Sequence, residues 1–148
     1  MSVFTNDLVT RWVPATGRWV LTETFEFHSG EYRSGLFVRC EAGMESDLAS
    51  IPRAVRWLVP KVGKDAQASV VHDRVYRDGF MLMRVAGHEK PVAVSRGMAD
   101  SMYYQAMLAL GVGRLRREAI YRGLQVGGWV AWNRYRRKGL GISTETTR

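Results

Sequence analysis

The sequence predicts an α+β fold, an N-terminal antiparallel hairpin or sheet packed against three to four helices. Three observations carry this expectation. Apolar residues alternate with a period of two through the first part of the chain, they recur at helical spacing from Ala68 onward, and capping or breaking residues punctuate the helical stretches. With 148 residues the chain has the length of one domain, read here as residues 1–138, followed by a polar tail, 139–148, expected to be disordered.

In the strand region Trp19, Leu21, Phe25 and Phe27 alternate in WVLTETFEF, with Glu23 breaking the apolar set. Leu36, Val38 and Cys40 alternate in a second run. Between them HSGEYRSG carries turn residues, so a hairpin over roughly 18–40 is expected. Pro14 and Gly17 separate it from a shorter first segment. EAGMESDLASIP, residues 41–52, reads as an irregular loop. Ser50 then resembles an N-cap with Pro52 just inside a short helix, which presents Val55, Leu58 and Val59 and ends at Pro60. Asp65 is expected to cap a helix over 66–78, with Ala68, Val71 and Val75 on one stripe and Gly79 as the stop. Residues 80–94 suit an extended excursion or small hairpin around Gly87. Ser95 caps a helix over roughly 96–110, ended by Gly111. The last helix runs from about Arg114 to Tyr135, and Gly123 and Gly127, four apart, predict close packing on another helix.

Composition narrows the function. The net charge is +8, from 22 Lys and Arg against 14 Asp and Glu, which favours polyanionic partners. The N-terminus shows no signal-peptide pattern and no apolar run reaches the roughly 18 residues a membrane span needs. The one cysteine, Cys40, excludes a disulfide framework within the monomer and reads as a small buried apolar residue. There is no P-loop, no GxGxxG after a strand, no HExxH and no paired CxxC, and Ser46, Ser50, Ser69 and Ser95 read as turn, cap or helix positions.

The residues with chemical potential centre on His72. His72 and Tyr76 are four apart on one helix face, and Asp73 is rotated about 100° from His72. Asp100 opens another strongly striped helix. Antiparallel packing of the two helices would bring it to the imidazole. A neutral imidazole can take a proton from water near neutral pH, and a carboxylate on its other nitrogen fixes the tautomer. A hard cation on an adjacent carboxylate can polarise a carbonyl or phosphoryl oxygen. The same residues equally suit a buried hydrogen-bond network tying two helices together, with Tyr76 as a core aromatic and Asp47 as a turn residue. A weaker pattern adds His28 to His72, Asp73 and Asp100 as a metal phosphohydrolase set. His88, beside Gly87, is expected to be exposed.

Two resemblances follow from these blocks. SDLASIPR (46–53), VVHDRVY (70–76), SRGMADSMYYQAMLALGV (95–112) and GGWVAW (127–132), in that order, resemble an uncharacterised family of tailed phages and prophages. That resemblance implies a phage setting, in the virion or the host cytoplasm, and no established activity. Locally, HDRVY is similar to the His-Asp-x-x-Tyr helix of phospholipases of the A-two class. The similarity implies His72 as base, Asp100 as its orienting acid, Tyr76 as hydrogen-bond partner of Asp100 and Asp73 as a ligand of Ca²⁺; the hydrolase reading itself adds Tyr76 as a substrate-binding residue and Asp47 as a second metal ligand. The glycine-rich calcium loop of that class has no counterpart here, since EAGMESDLASIP holds one glycine and three acids.

The expected function is therefore a phage-encoded His/Asp hydrolase, metal-assisted by a divalent cation, acting on esters of the host envelope. The alternative is a non-enzymatic virion or assembly component that binds other phage structural proteins. Trp129, Trp132 and Tyr135 among Arg134, Arg136 and Arg137 also suit a lipid interface or nucleic acid, the latter ranking third, or simply core packing of the tryptophans. The hydrolase reading expects His72 to be solvent-accessible in a cleft. The alternative expects the His/Asp cluster to be buried.

Overall fold

The computed structural model describes residues 3–30, 35–48 and 63–139, and shows the α+β architecture with its strands mostly N-terminal. The strands are β1 (Val3–Phe4), β2 (Thr10–Val13), β3 (Arg18–Leu21), β4 (Phe25–His28), β5 (Leu36–Cys40) and β6 (Glu45–Ser46). After these come α1 (Ala66–Asp78), β7 (Phe80–Val85), β8 (His88–Ala93), α2 (Arg96–Ala109) and α3 (Arg114–Arg137). The expected short helix around Val55 lies outside the described residues, as does the tail beyond Gly139.

Two antiparallel sheets form. One has the order β1-β4-β5-β7-β8, the other β2-β3-β6. The run WVLTETFEF is therefore not one strand. It breaks at Thr22–Thr24, so β3 pairs with β2 and β6 while β4 pairs with β1 and β5. Alternation alone could not show this break, because Leu21 and Phe25 keep the same parity on either side of it and both end up buried. The expected hairpin is thus β4–β5, with Phe27 opposite Val38 and Phe25 opposite Cys40. The loop expected over 41–52 contains β6, whose Ser46 pairs with Trp19.

The β7–β8 hairpin turns at Ala86 and Gly87, both at positive φ, as a two-residue turn between strands demands. Its outer strand carries Pro91 and the exposed His88, Glu89 and Lys90, features that suit a sheet edge.

The helices begin and end close to where their caps predict. Ser95 accepts a hydrogen bond from the Met98 amide at 3.2 Å and so caps α2. Gly79 ends α1 at φ 72°. Asp65 occupies the N-cap position of α1 but makes no capping bond; its carboxylate accepts from Arg116 of α3 at 2.6 Å instead. A charge-assisted bond to an arginine outcompetes a neutral amide for that oxygen.

The core lies where α1 meets sheet and helices together. Phe25, Phe27, Val38 and Cys40 from the sheet join Val70, Val71 and Val75 of α1, Met102, Ala106 and Met107 of α2, and Ile120 and Leu124 of α3. Cys40 is fully buried, and burial pushes its thiol far up, consistent with the inert apolar role. Helix α2 runs antiparallel to α1, because Tyr76 late in α1 meets Asp100 early in α2 while His72 reaches both Asp100 and Tyr103. Helix α3 runs alongside α1: Arg116 meets Asp65 at one end and Arg136 caps the α1 carbonyls of Tyr76 and Arg77 at the other, at 2.6 and 2.8 Å.

Candidate active site

The antiparallel pairing of α1 and α2 brings His72, Tyr76 and Asp100 together. Asp100 Oδ1 lies 3.1 Å from His72 Nε2 and accepts from the Tyr76 hydroxyl at 2.5 Å. Its other oxygen accepts from Arg96 at 3.2 Å. Arg96 also donates to the Leu124 carbonyl at 3.1 Å, which anchors the clamp to α3. Three donors from two helices thus converge on one fully buried carboxylate.

This arrangement fixes the imidazole's tautomer. A carboxylate can only accept, so the His72 nitrogen facing Asp100 carries the hydrogen. The other nitrogen, Nδ1, is then the bare one. It is buried, and among the described residues it has no hydrogen-bond partner. An unsatisfied buried polar atom is rare in folded proteins and calls for an explanation. The imidazole itself is held tightly. Its ring stacks on Tyr103, with centroids 4.7 Å apart, and tilts against Tyr76 at 4.0 Å. Trp132 of α3 closes the far side of Tyr76, edge-on at 5.2 Å.

Burial lowers the His72 pKa, and Asp100 only partly opposes that effect. The ring is therefore neutral at pH 7. Burial, helped by the hydrogen bond to Asp100, also holds the Tyr76 hydroxyl in its protonated form, as a donor. Gly128 makes this packing possible. A Cβ at position 128 would lie 2.6 Å from the Tyr76 hydroxyl oxygen. The close approach of α3 is thus made at Gly128, one residue on from the Gly127 of the expected pair.

Asp73 faces elsewhere, as its rotation on the helix requires. Its Oδ2 accepts from Ser46 at 3.3 Å, and Ser46 in turn accepts from the Leu48 amide at 3.0 Å. Burial first, then the charge of Asp47, push the Asp73 carboxyl up to about 7. The exposed Asp47 is thus close enough to act on Asp73, on the loop side of α1. Leu48 sits at φ 55°, a left-handed conformation costly for leucine, right beside this pair. Two carboxylates and a serine hydroxyl are hard oxygen donors of the kind Ca²⁺ or Mg²⁺ takes. Among the described residues, however, no three His, Cys, Asp or Glu side chains gather into one metal-binding group.

His72 is 2 % exposed and Asp100 0 %. Neither lines the clefts formed by Val3 with Leu108, by Trp129 with Arg134, by Arg74 with Met81, or by Arg18 with Arg77. The expected solvent-accessible His72 is thus buried instead. The stacked Tyr103 and the packed Tyr76 account for this, since aromatic rings cover two sides of the imidazole. His28 does not join the cluster in any described contact. Its Nε2 lies 2.9 Å from Glu26 and its ring stacks on Phe37. His88 is exposed at the hairpin turn, as expected.

Sequence reasoning missed Arg96, Tyr103 and Gly128 as parts of this site. Arg96 and Asp100 stand four apart on α2, a spacing that signals an ion pair. Tyr103 was legible only as part of an apolar stripe, and nothing in the sequence marks Gly128 above Gly123 or Gly127.

No helix among the described residues is long and apolar enough to cross a membrane. No curated protein and no solved structure matches the chain. A family model does match, over residues 19–124, a span that holds β3 to β8, α1, α2 and the first part of α3, with His72, Asp73, Tyr76 and Asp100 inside it. The chain belongs to the family described as Protein of unknown function (DUF1353).

Proposed function

We propose that the protein is a His/Asp hydrolase in which His72 is the general base and Asp100 its orienting acid. The observation that carries this reading is the bare, buried Nδ1 of His72 opposite an Nε2 held by Asp100. A neutral imidazole with one nitrogen fixed and the other bare is the arrangement needed to take a proton from water once water reaches it. Tyr76 and Arg96 act as positioning residues through Asp100. They keep its lone pairs aimed and its charge compensated while the imidazolium forms. Asp73 and Asp47 would hold a divalent cation, Ca²⁺ by the similarity of HDRVY to phospholipases of the A-two class, and the ion would polarise the ester oxygen. The order of the sequence blocks supports a phage or prophage setting, with host envelope esters as substrate. Turnover on this reading requires an opening of the packing around Nδ1, because that atom is sealed from solvent.

The test is hydrolysis of phospholipid vesicles and of a chromogenic carboxylic ester and phosphodiester, with calcium or with a chelator. The expected result is calcium-dependent turnover that His72→Gln lowers by about 10²–10⁴-fold while the unfolding transition stays cooperative. Absence of turnover on all three substrates, or equal turnover by the variant, would overturn the reading.

The burial of His72 and Asp100 favours a second reading, a non-enzymatic virion or assembly component whose His/Asp cluster ties α1 to α2. Quantitative mass spectrometry of purified particles separates the two. A fixed stoichiometric copy number supports the component, and absence from particles removes it.

A further inference from the structure

A cleft of about 640 Å³ opens where the start of β3, the turn before β6 and the last turns of α1 and α3 meet. Arg18, Arg77, Arg134 and Lys138 line it together with Glu45 and Tyr135. Four cations against one carboxylate give the lining a formal charge of +4 − 1 = +3. The single acid is engaged only loosely, with Glu45 3.8 Å from Arg18 in an exposed pair, a contact of small energetic worth. Among the described residues Arg134 and Lys138 make no salt bridge, and Arg77 donates to the Glu45 carbonyl at 3.5 Å and acts at longer range on the Asp73 and Asp78 carboxyls. The dipole of α3 accounts for basic residues in its last turn. The dipole of α1 accounts likewise for Arg77 in its last turn, but neither accounts for Arg18, which comes from β3 and faces the same space.

The neighbouring surface has a different chemistry. Arg134 and Lys138 also line a second cleft, of about 360 Å³, with Trp129, Val130 and Asn133. Trp129 is 53 % exposed and Val126, one turn before Val130, is 77 % exposed. The two basic residues thus stand between a cationic recess and an apolar ledge.

We propose that the cleft between Arg18, Arg77, Arg134 and Lys138 is a binding site for a phosphate-class oxyanion, a phosphomonoester or phosphodiester group. Guanidinium groups match the oxygens of phosphate in a bidentate geometry, and three arginines with a lysine supply donors from several directions at once. The apolar ledge beside the cleft suits a phosphate that carries an acyl or other apolar group. The site lies on the loop side of α1, because Arg77 and Arg18 both act on the Asp73 carboxyl.

Binding is read without turnover, so failure of this site and failure of the His72 base are separable. Calorimetric titrations would use inorganic phosphate, glycerol phosphate, and vesicles of phosphatidylglycerol against vesicles of phosphatidylcholine. The variants are Arg77→Gln with Arg134→Gln, and as a control Arg114→Gln, an exposed arginine at the opposite end of α3. The double variant is expected to weaken binding by about tenfold or more, the control by less than about twofold. Pocket-dependent binding of phosphate or glycerol phosphate assigns a free phosphate ester. Pocket-dependent binding of phosphatidylglycerol vesicles alone assigns a lipid headgroup. Two results would overturn the site: no binding to any probe, or vesicle binding that falls equally with Arg114→Gln, which marks unspecific charge attraction.

Discussion

Two carboxylates flank the same helix, and the fold treats them in opposite ways. Asp100 is fully buried and accepts from Tyr76 and Arg96 while facing the ring nitrogen of His72. Asp73, next to His72 in sequence, lies on the loop side beside Asp47, and burial with that like charge pushes it up to about 7. One carboxylate is thus held by three donors, while at the other burial and a second anion outweigh the Ser46 hydrogen bond and the charges of Arg77 and Arg18. The lesson is that surroundings on a helix follow from rotation: the step from His72 to Asp73 turns the side chain from the Asp100 network to the Ser46 side of α1.

The largest effect should come from breaking the inner side of this contrast. Asp100→Ala leaves Tyr76 and His72 as buried donors, and the half-buried Arg96, without this acceptor and should cost about 3–5 kcal/mol. Chemical denaturation would measure it. A loss below about 1 kcal/mol would mean that the network contributes little to the fold. Next, Gly128→Ala drives a methyl group into the Tyr76 hydroxyl and should cost about 1–3 kcal/mol. The same denaturation series reads it, and a neutral result would show that α3 can move off Tyr76 freely.

The outer side is sharpened by pH. Asp73 has a folded pKa raised from 3.8 to about 7, so between those values the folded chain holds a proton that the unfolded chain has lost. That contribution lowers stability as pH rises from about 4 to about 7. His72 has the opposite sign. Its folded pKa is depressed below 6.5, so stability falls as pH drops below that value, when the unfolded chain takes up a proton and the folded ring does not. The two slopes offset each other in the wild type. Asp73→Asn should therefore make stability fall more steeply on acidification below pH 6.5, by at most about 1.4 kcal/mol per pH unit. An unchanged profile in denaturation midpoints across pH would contradict the assigned shift of Asp73. The smallest effect is expected from Asp47→Asn. Removing that exposed charge should let the Asp73 pKa fall from about 7, visible in a carboxyl NMR titration, with little change in stability.

The contrast between the two sides also explains what the sequence could show. The His72–Tyr76 face, the Asp73 rotation and the caps at Ser95 and Gly79 follow from helical periodicity and local chemistry, and all are found. Long-range choices were not legible. Asp65 preferred Arg116 over its own helix terminus, β3 and β4 parted into separate sheets, and Tyr103 turned its ring onto His72. Each was decided by a partner distant in sequence. Pairing Asp100 with His72 required one assumption, antiparallel helices, and that one is met. The packing around the imidazole was not foreseen, because stacking by Tyr103 depends on ring orientation, which spacing does not encode.

The chemistry of the site turns on the state of one ring. Nitrogen-15 and proton NMR of the His72 imidazole, followed across pH, reports its tautomer and its protonation directly. A neutral ring at pH 7 with the hydrogen on Nε2, a bare Nδ1 and a titration below 6.5 is the predicted result. A hydrogen on Nδ1 of the neutral ring, or an imidazolium persisting at pH 7, would contradict it.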